Sequence, residues 1–208
     1  MRGIIGGVKG KRRKEGYVSY SEIFTFIKIR KKKETMKYDR IIAIDPDARE
    51  SGVAELQTQT REIKVYKMTF TRLMMFLNLQ TIDLIAEEKQ RIKVVIEAGL
   101  LNESNWHITG KYMSARKAAA IGRSVGMNHQ TGMLIEEMSK DYFKLPTELQ
   151  KPLKKCWKGK DGKITQEEMT EVTGREKLPR MNQDQRDALL IAWVHAGLPI
   201  RMKAKKTP

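Results

Sequence analysis

Four acidic residues stand at positions where a carboxylate is unusual. Asp45 follows the apolar residues 41–44, and Glu97 follows the apolar residues 94–96. Asp184 and Asp187 lie three residues apart, where a strongly apolar helix is expected to begin, so they share one helical face. A charge at the rim of a core is costly unless a cation neutralises it. The four acids therefore predict a site for a hard divalent cation, Mg²⁺.

Such a carboxylate site suits phosphodiester chemistry. Incomplete coordination by protein leaves room around Mg²⁺ for water and phosphate. Two ions about 4 Å apart could activate an attacking water and stabilise the leaving 3′ oxygen. We therefore expect two Mg²⁺ ions per site, with Mn²⁺ able to substitute, and the positive ions would explain how close acids stay ionised.

Each acid also has an ordinary structural interpretation. Asp45 precedes Pro46 and could cap a turn. Glu97 could pair with a lysine, and Asp184 and Asp187 could favour the helix dipole of a first turn. Taken together, in this order and in these element contexts, the four acids favour a shared site.

The elements that would position these acids follow from apolar patterning and turn residues. Strands are predicted over 40–45, 52–56, 62–68, 93–97 and 141–145, with a loop over 146–162. Helices are predicted over about 71–90, 114–138, 164–172 and 183–197. This order predicts an α/β fold, a mixed five-stranded sheet with helices on both faces. If the strands ending in Asp45 and Glu97 are parallel neighbours, their carboxyl ends meet where such sheets bind ligands.

Composition favours a nucleic-acid partner. Lys and Arg total 41 against 25 acids, a formal charge of +16, which predicts attraction to a polyanion. An anionic membrane surface is a weaker alternative partner. No apolar run approaches the roughly 20 residues of a membrane span, so no transmembrane segment is expected. The single Cys156 excludes an internal disulfide framework, so a reducing, cytoplasmic location is expected. The three histidines are too scattered for a zinc site.

The charge divides the chain into three parts. Residues 1–36 hold 11 Lys or Arg and 3 acids, and such runs usually stay flexible until they meet an anion. We interpret this extension either as a DNA-contacting arm or as sequence translated from a start upstream of Met36. The catalytic domain is predicted over 37–200, and a basic tail over 201–208.

The order of the acids and their local motifs resembles the RuvC family of Holliday junction resolvases. That family opens with a strand ending in Asp-Pro-Gly before a turn and a glycine; here the chain has Asp-Pro-Asp at 45–47 and then Gly52. Its second acid precedes a helix rich in small residues, as Glu97 precedes 118–126. Its closing motif matches Asp-Gln-Arg-Asp-Ala-Leu-Leu-Ile-Ala at 184–192, the most specific of the three. The resemblance covers residues 40–196, approximately, and it extends to the phage-type members of the family.

The resemblance implies a ribonuclease-H-like fold and a magnesium-dependent endodeoxyribonuclease of DNA recombination and repair. It assigns metal binding and catalysis to Asp45, Glu97, Asp184 and Asp187. It also implies a homodimer that cuts two strands of a DNA four-way junction symmetrically, which two sites related by a two-fold axis would achieve. Two alternatives stay open: a nuclease of this fold acting on flap DNA or an RNA–DNA hybrid, and a non-catalytic nucleic-acid-binding protein.

DNA contacts are expected mainly from cations near the acids. The family carries an aromatic wedge after its second acid; Leu100, Leu101 and Trp106 are candidates here, and Trp106 is the best stacker. Asp47 stands where the family has glycine, so either the turn differs from the family's or Asp47 adds another acid to the site. The family also places lysines that stabilise phosphate charge between its second and last helices. The candidates are Lys151, Lys154, Lys155 and Lys163, together with Arg116, Lys117 and Arg123 on the second helix, which could equally form a solvated face.

Overall fold

A mixed five-stranded sheet forms the centre of the chain, in a computed structural model that describes residues 38–85, 91–102 and 114–200. The strands follow the order β3-β2-β1-β4-β5 across the sheet. β1 pairs antiparallel with β2 and β2 with β3, whereas β4 runs parallel to β1 and β5 parallel to β4. The strand bounds are Arg40–Asp45 for β1, Ser51–Gln57 for β2, Ile63–Met68 for β3, Ile92–Glu97 for β4 and Thr147–Gln150 for β5.

Helices cover both faces of this sheet. α1 is Phe70–Ile85, α2 is Ala115–Glu137, α3 is Gln166–Thr173 and α4 is Gln183–His195. Along β1, Ile41 and Ala43 pack in one core with residues of α3 and α4, and Ile42 and Ile44 pack in the other with residues of α1 and α2. This alternation is the period of two expected for a strand buried on both faces. The sheet and its two helical layers form the ribonuclease-H-like arrangement, so the predicted fold class is confirmed.

Local capping explains where the last two helices begin. Thr165 accepts the backbone N–H of Glu168, and the Glu168 side chain accepts the N–H of Thr165, a reciprocal capping box. Asn182 and Gln185 form the same device at the start of α4. Gly174 ends α3 in the left-handed conformation, with φ 65°. These bounds place α3 within about two residues of the helix predicted over 164–172.

The predicted fifth strand was misplaced. Instead of a strand over 141–145, Met138–Tyr142 continues α2 as one π-helical turn, and the strand follows at Thr147–Gln150. Phe143 and Leu145 are buried, which produced the apolar signal, but their N–H groups bond back to Met138 and Ser139. The true strand is a half-buried, mostly polar edge, so its pattern lacks the apolar run of a central strand.

Some predictions concern other parts of the chain. The extension 1–36, Trp106 and the tail 201–208 lie outside the described residues. Met75 is 65% exposed on α1. None of the described helices combines the length and apolar character needed to cross a bilayer.

Candidate active site

Asp45 and Glu97 lie beside each other at one edge of the sheet. β1 and β4 are parallel neighbours with Ile44 opposite Ile96, so the acids that follow both residues share the carboxyl end. Burial raises the pKa of Asp45 well above its ordinary value, and repulsion from Glu97, Asp187 and Asp184 adds to this effect. Burial, followed by repulsion from Asp187, raises the pKa of Glu97 to about 7. Each of these acids therefore makes ionisation of its neighbours less favourable.

The first turn of α4 brings the other two acids to the same edge. Gly52, opposite Asp45 in the β1–β2 register, makes this close approach possible. A Cβ on Gly52 would lie 2.3 Å from the carbonyl carbon of Asp184, so helix backbone packs directly on strand backbone. No larger residue fits there without moving the helix.

The two acids of α4 differ in their surroundings. Asp187 lines a cavity of about 820 Å³ together with Asp45 and Glu97. Asp184 is not among the residues that line this cavity, although it contributes to the raised pKa of Asp45 and Glu97. Burial raises the pKa of Asp184, Lys163 lowers it, and Asp47 and Asp187 raise it further. Three of the predicted acids thus share the cavity, and Asp184 lies close enough to raise the pKa of Asp45 and Glu97.

All four candidate lysines line the cavity that holds the acids: Lys151, Lys154, Lys155 and Lys163. Asn128 and His129 of α2 and Trp157 also line it. By contrast, the α2 candidates Arg116, Lys117 and Arg123 are exposed and are not among the lining residues. Leu100 and Leu101, the described wedge candidates, are 39% and 40% exposed on a short 3₁₀ turn after β4. A basic lining beside acids is suited to a phosphate backbone held near a cation site.

The structure distinguishes Lys163 from the other lysines. Its ammonium Nζ lies 3.0 Å from Oδ2 of Asp187. Among the described residues, it is the only cation in an ion pair with any of the four acids. Burial lowers the pKa of Lys163, but the charges of Asp187, Asp45 and Asp184 outweigh it and raise the pKa overall. Lys163 therefore stays charged among the acids.

Two residues on α4 that sequence reasoning missed hold Asp187 in place. The Gln183 amide Nε2 donates to Oδ1 of Asp187 at 2.7 Å, so each carboxylate oxygen has its own donor. Arg186 donates from Nη2 to Oε1 of Gln183 at 2.8 Å and from Nε to the carbonyl of Ile164 at 3.0 Å. The spacing of four residues between Gln183 and Asp187 was the available signal, because such residues are neighbours on a helix.

The donor chemistry of the site fits Mg²⁺. The four acids offer only hard oxygen ligands. Burial, with repulsion from neighbouring carboxylates, raises the pKa of Asp45, Glu97 and Asp184, and a divalent ion would counter both effects. Within the described part of the chain, no three His, Cys, Asp or Glu side chains are arranged to hold a metal ion as they stand. Magnesium binding thus stays a prediction that rests on donor chemistry and electrostatics.

Comparison with solved structures finds two Holliday junction resolvases. RuvC of T. thermophilus, solved in complex with a Holliday junction substrate, is 15% identical to this chain. The match covers 76% of this chain and 93% of that RuvC chain, with a TM-score of 0.38. The yeast mitochondrial Holliday junction resolvase Ydc2 is 13% identical to this chain. The match covers 86% of this chain and 88% of the Ydc2 chain, with a TM-score of 0.30. Comparison with protein-family models and with curated proteins finds no match.

The pKa of Glu97 predicts a pH-dependent stability difference. Its pKa rises from 4.5 to about 7 on folding, so the folded state binds more protons and this group's contribution to stability falls as pH rises through that window. In the absence of metal, the free energy of unfolding of Glu97→Gln should therefore rise by about 3 kcal/mol relative to that of wild type as the pH goes from 4 to 8. Urea unfolding of both proteins at the two pH values measures this gain. A stability difference that does not change with pH would contradict the electrostatic description of the site.

Proposed function

We propose that this protein is a magnesium-dependent endonuclease that resolves DNA four-way junctions by paired, symmetric cleavage. The observation that carries the proposal is the lining of one cavity by Asp45, Glu97 and Asp187 together with four lysines. Acids alone could be structural and lysines alone could bind DNA passively, but their combination suits hydrolysis of a phosphodiester. The choice of a junction over other DNA rests on the sequence motifs shared with the RuvC family.

The residues divide into two roles. Asp45, Glu97, Asp184 and Asp187 would hold Mg²⁺, which when bound supplies charge stabilisation and an activated water. The lysines would hold the phosphate backbone, and Lys163, which lies against Asp187, would stabilise negative charge that develops at the phosphate. Gln183 fixes the orientation of Asp187.

Exposed apolar residues support a homodimer. Met75, Leu79 and Ile82 on α1 are 65%, 57% and 59% exposed, and their spacing places them on one helical face. Met127 and Met133 on α2, which packs on the same side of the sheet as α1, are also about half exposed. Apolar surface of this kind favours association. Light scattering should give about twice the 24.0 kDa chain mass, and the mass of one chain would contradict the homodimer.

The direct test is cleavage of defined DNA substrates. Purified full-length protein with Mg²⁺ should nick a four-way junction at symmetric positions on two opposing strands. A duplex and a flap made from the same sequences should be cut more slowly, and EDTA should stop the reaction. Equal cleavage of junction and duplex would reject the resolvase assignment, and binding without cleavage would favour a non-catalytic binding protein.

A further inference from the structure

Glu168, in the first turn of α3, is a buried acid that lies outside the cavity of the four carboxylates. It is 2% exposed. Its Oε2 accepts the N–H of Thr165 at 3.1 Å, which closes the capping box. Both oxygens also accept the N–H of Lys158, at 3.0 and 3.2 Å. A buried carboxylate is costly without hydrogen bonds, and the bonds to Lys158 go beyond what a helix cap needs.

These bonds hold the backbone of the loop that carries Lys163, residues 157–163, in one conformation. Within the loop, the N–H of Trp157 donates to the carbonyl of Gly162, and the N–H of Gly159 donates to the carbonyl of Lys163, each at 3.0 Å. The two arms pack backbone to backbone, since a Cβ on Gly159 would lie 2.3 Å from the Lys163 oxygen. Glu168 binds one arm at Lys158 and the other at Thr165. Lys163 therefore lies between the two points at which Glu168 holds the backbone.

The loop is also tied to α4 immediately after Lys163. The carbonyl of Ile164 accepts from Arg186 at 3.0 Å and from Gln183 at 3.4 Å. Gln183 in turn holds Asp187, the partner of Lys163. The backbone before Lys163 is thus fixed by Glu168 of α3, and the backbone after Lys163 is fixed by the first turn of α4.

We infer that Glu168 is a positioning residue, which holds Lys163 so that its ammonium meets Asp187 in the acidic cavity. The catalytic part of this inference rests on the proposed function. Without these bonds, the loop loses its attachment at Lys158, and Lys163 no longer has a fixed approach to the cavity. Small displacements of a group that acts on the transition state reduce turnover more than they reduce binding.

The test compares variants of Glu168 in two backgrounds. Glu168→Ala should lower kcat for junction cleavage about 10- to 100-fold, the scale for residues that orient a functional group, with KM changed less than about threefold because the remaining lysines still bind DNA. Glu168→Gln keeps one oxygen acceptor and should recover part of the loss. Glu167→Ala is the matched control, since Glu167 is the neighbouring acid in the same turn and is exposed. In a Lys163→Met background, Glu168→Ala should add no further loss of kcat.

Amide hydrogen exchange on the full chain separates this inference from the proposed function. Glu168→Ala should speed exchange at Lys158 at least about tenfold, and Glu167→Ala should leave it unchanged, whether or not the protein cleaves DNA. If Glu168→Ala does not fold, the same comparisons are made with Glu168→Gln. Unchanged exchange at Lys158 would overturn the inference. An equal loss of kcat in the wild-type and Lys163→Met backgrounds would also overturn it, because the role would then be general stability.

Discussion

Replacing Asp187 with asparagine should lower the rate of junction cleavage about 10³-fold or more, while junction affinity stays within about threefold of wild type. Asp187 shares its cavity with Asp45 and Glu97 and is held by Lys163 and Gln183. Asparagine keeps the shape of the side chain but removes the negative charge that a divalent ion requires. The lysines that would bind phosphate are untouched, so binding should persist. Single-turnover cleavage with Mg²⁺ and gel-shift binding in EDTA measure the two effects separately.

Asp141→Asn is the matched control for this variant. Asp141 is exposed and is not among the residues that line the acidic cavity. The control protein should cleave and bind like wild type. If Asp187→Asn cleaves as fast as its parent, the assignment of the site is wrong; if it loses binding and cleavage in parallel, Asp187 supports the fold or the DNA surface instead.

Gly52→Ala should produce the second large effect, a loss of stability together with a loss of cleavage. The new methyl group would lie 2.3 Å from the Asp184 carbonyl carbon and 2.4 Å from its oxygen. Because these are backbone atoms, α4 itself must move, which should cost about 3 kcal/mol or more and lower Tm by about 10 °C. The same shift would carry Asp184 and Asp187 away from Asp45. Thermal unfolding and the junction assay measure both consequences.

Gly126→Ala provides the comparison for the glycine change. A Cβ at Gly126, inside α2, meets nothing within 4 Å, so alanine should stabilise the helix by about 0.5–1 kcal/mol and leave cleavage intact. If Gly52→Ala unfolds at the wild-type temperature and cleaves normally, the described packing of α4 against β2 is incorrect.

The elements nearest the site were the most predictable from sequence. β1 and β4 are buried on both faces, so they appear as apolar runs, and the acids that end them stand out. The nearly all-apolar character of 188–194 identified α4 as a buried helix. β5 was misplaced because an edge strand buries little side-chain surface, and its Thr-Glu-Leu-Gln sequence carries no strong periodicity.

The relative importance of the site residues required three dimensions. Residues 151–163 contain several lysines of similar sequence context, and only the folded loop selects Lys163 as the partner of Asp187. The need for glycine at position 52 is equally invisible in sequence, since it arises from contact with a helix more than 130 residues later. In the sequence, Glu168 is only an acid in the first turn of a predicted helix, and its bond to Lys158 depends on the loop conformation.

The most direct test of the central claim is Mn²⁺ binding by the full chain with a bound four-way junction at pH 8, followed by the EPR signal of free Mn²⁺. After subtraction of binding by DNA alone, we expect saturable uptake of two Mn²⁺ ions per chain. Asp45→Asn and Glu97→Gln should weaken that uptake at least about tenfold, and Asp141→Asn should leave it unchanged. Uptake that is absent, or equal in all four proteins, would show that these carboxylates do not form a metal site.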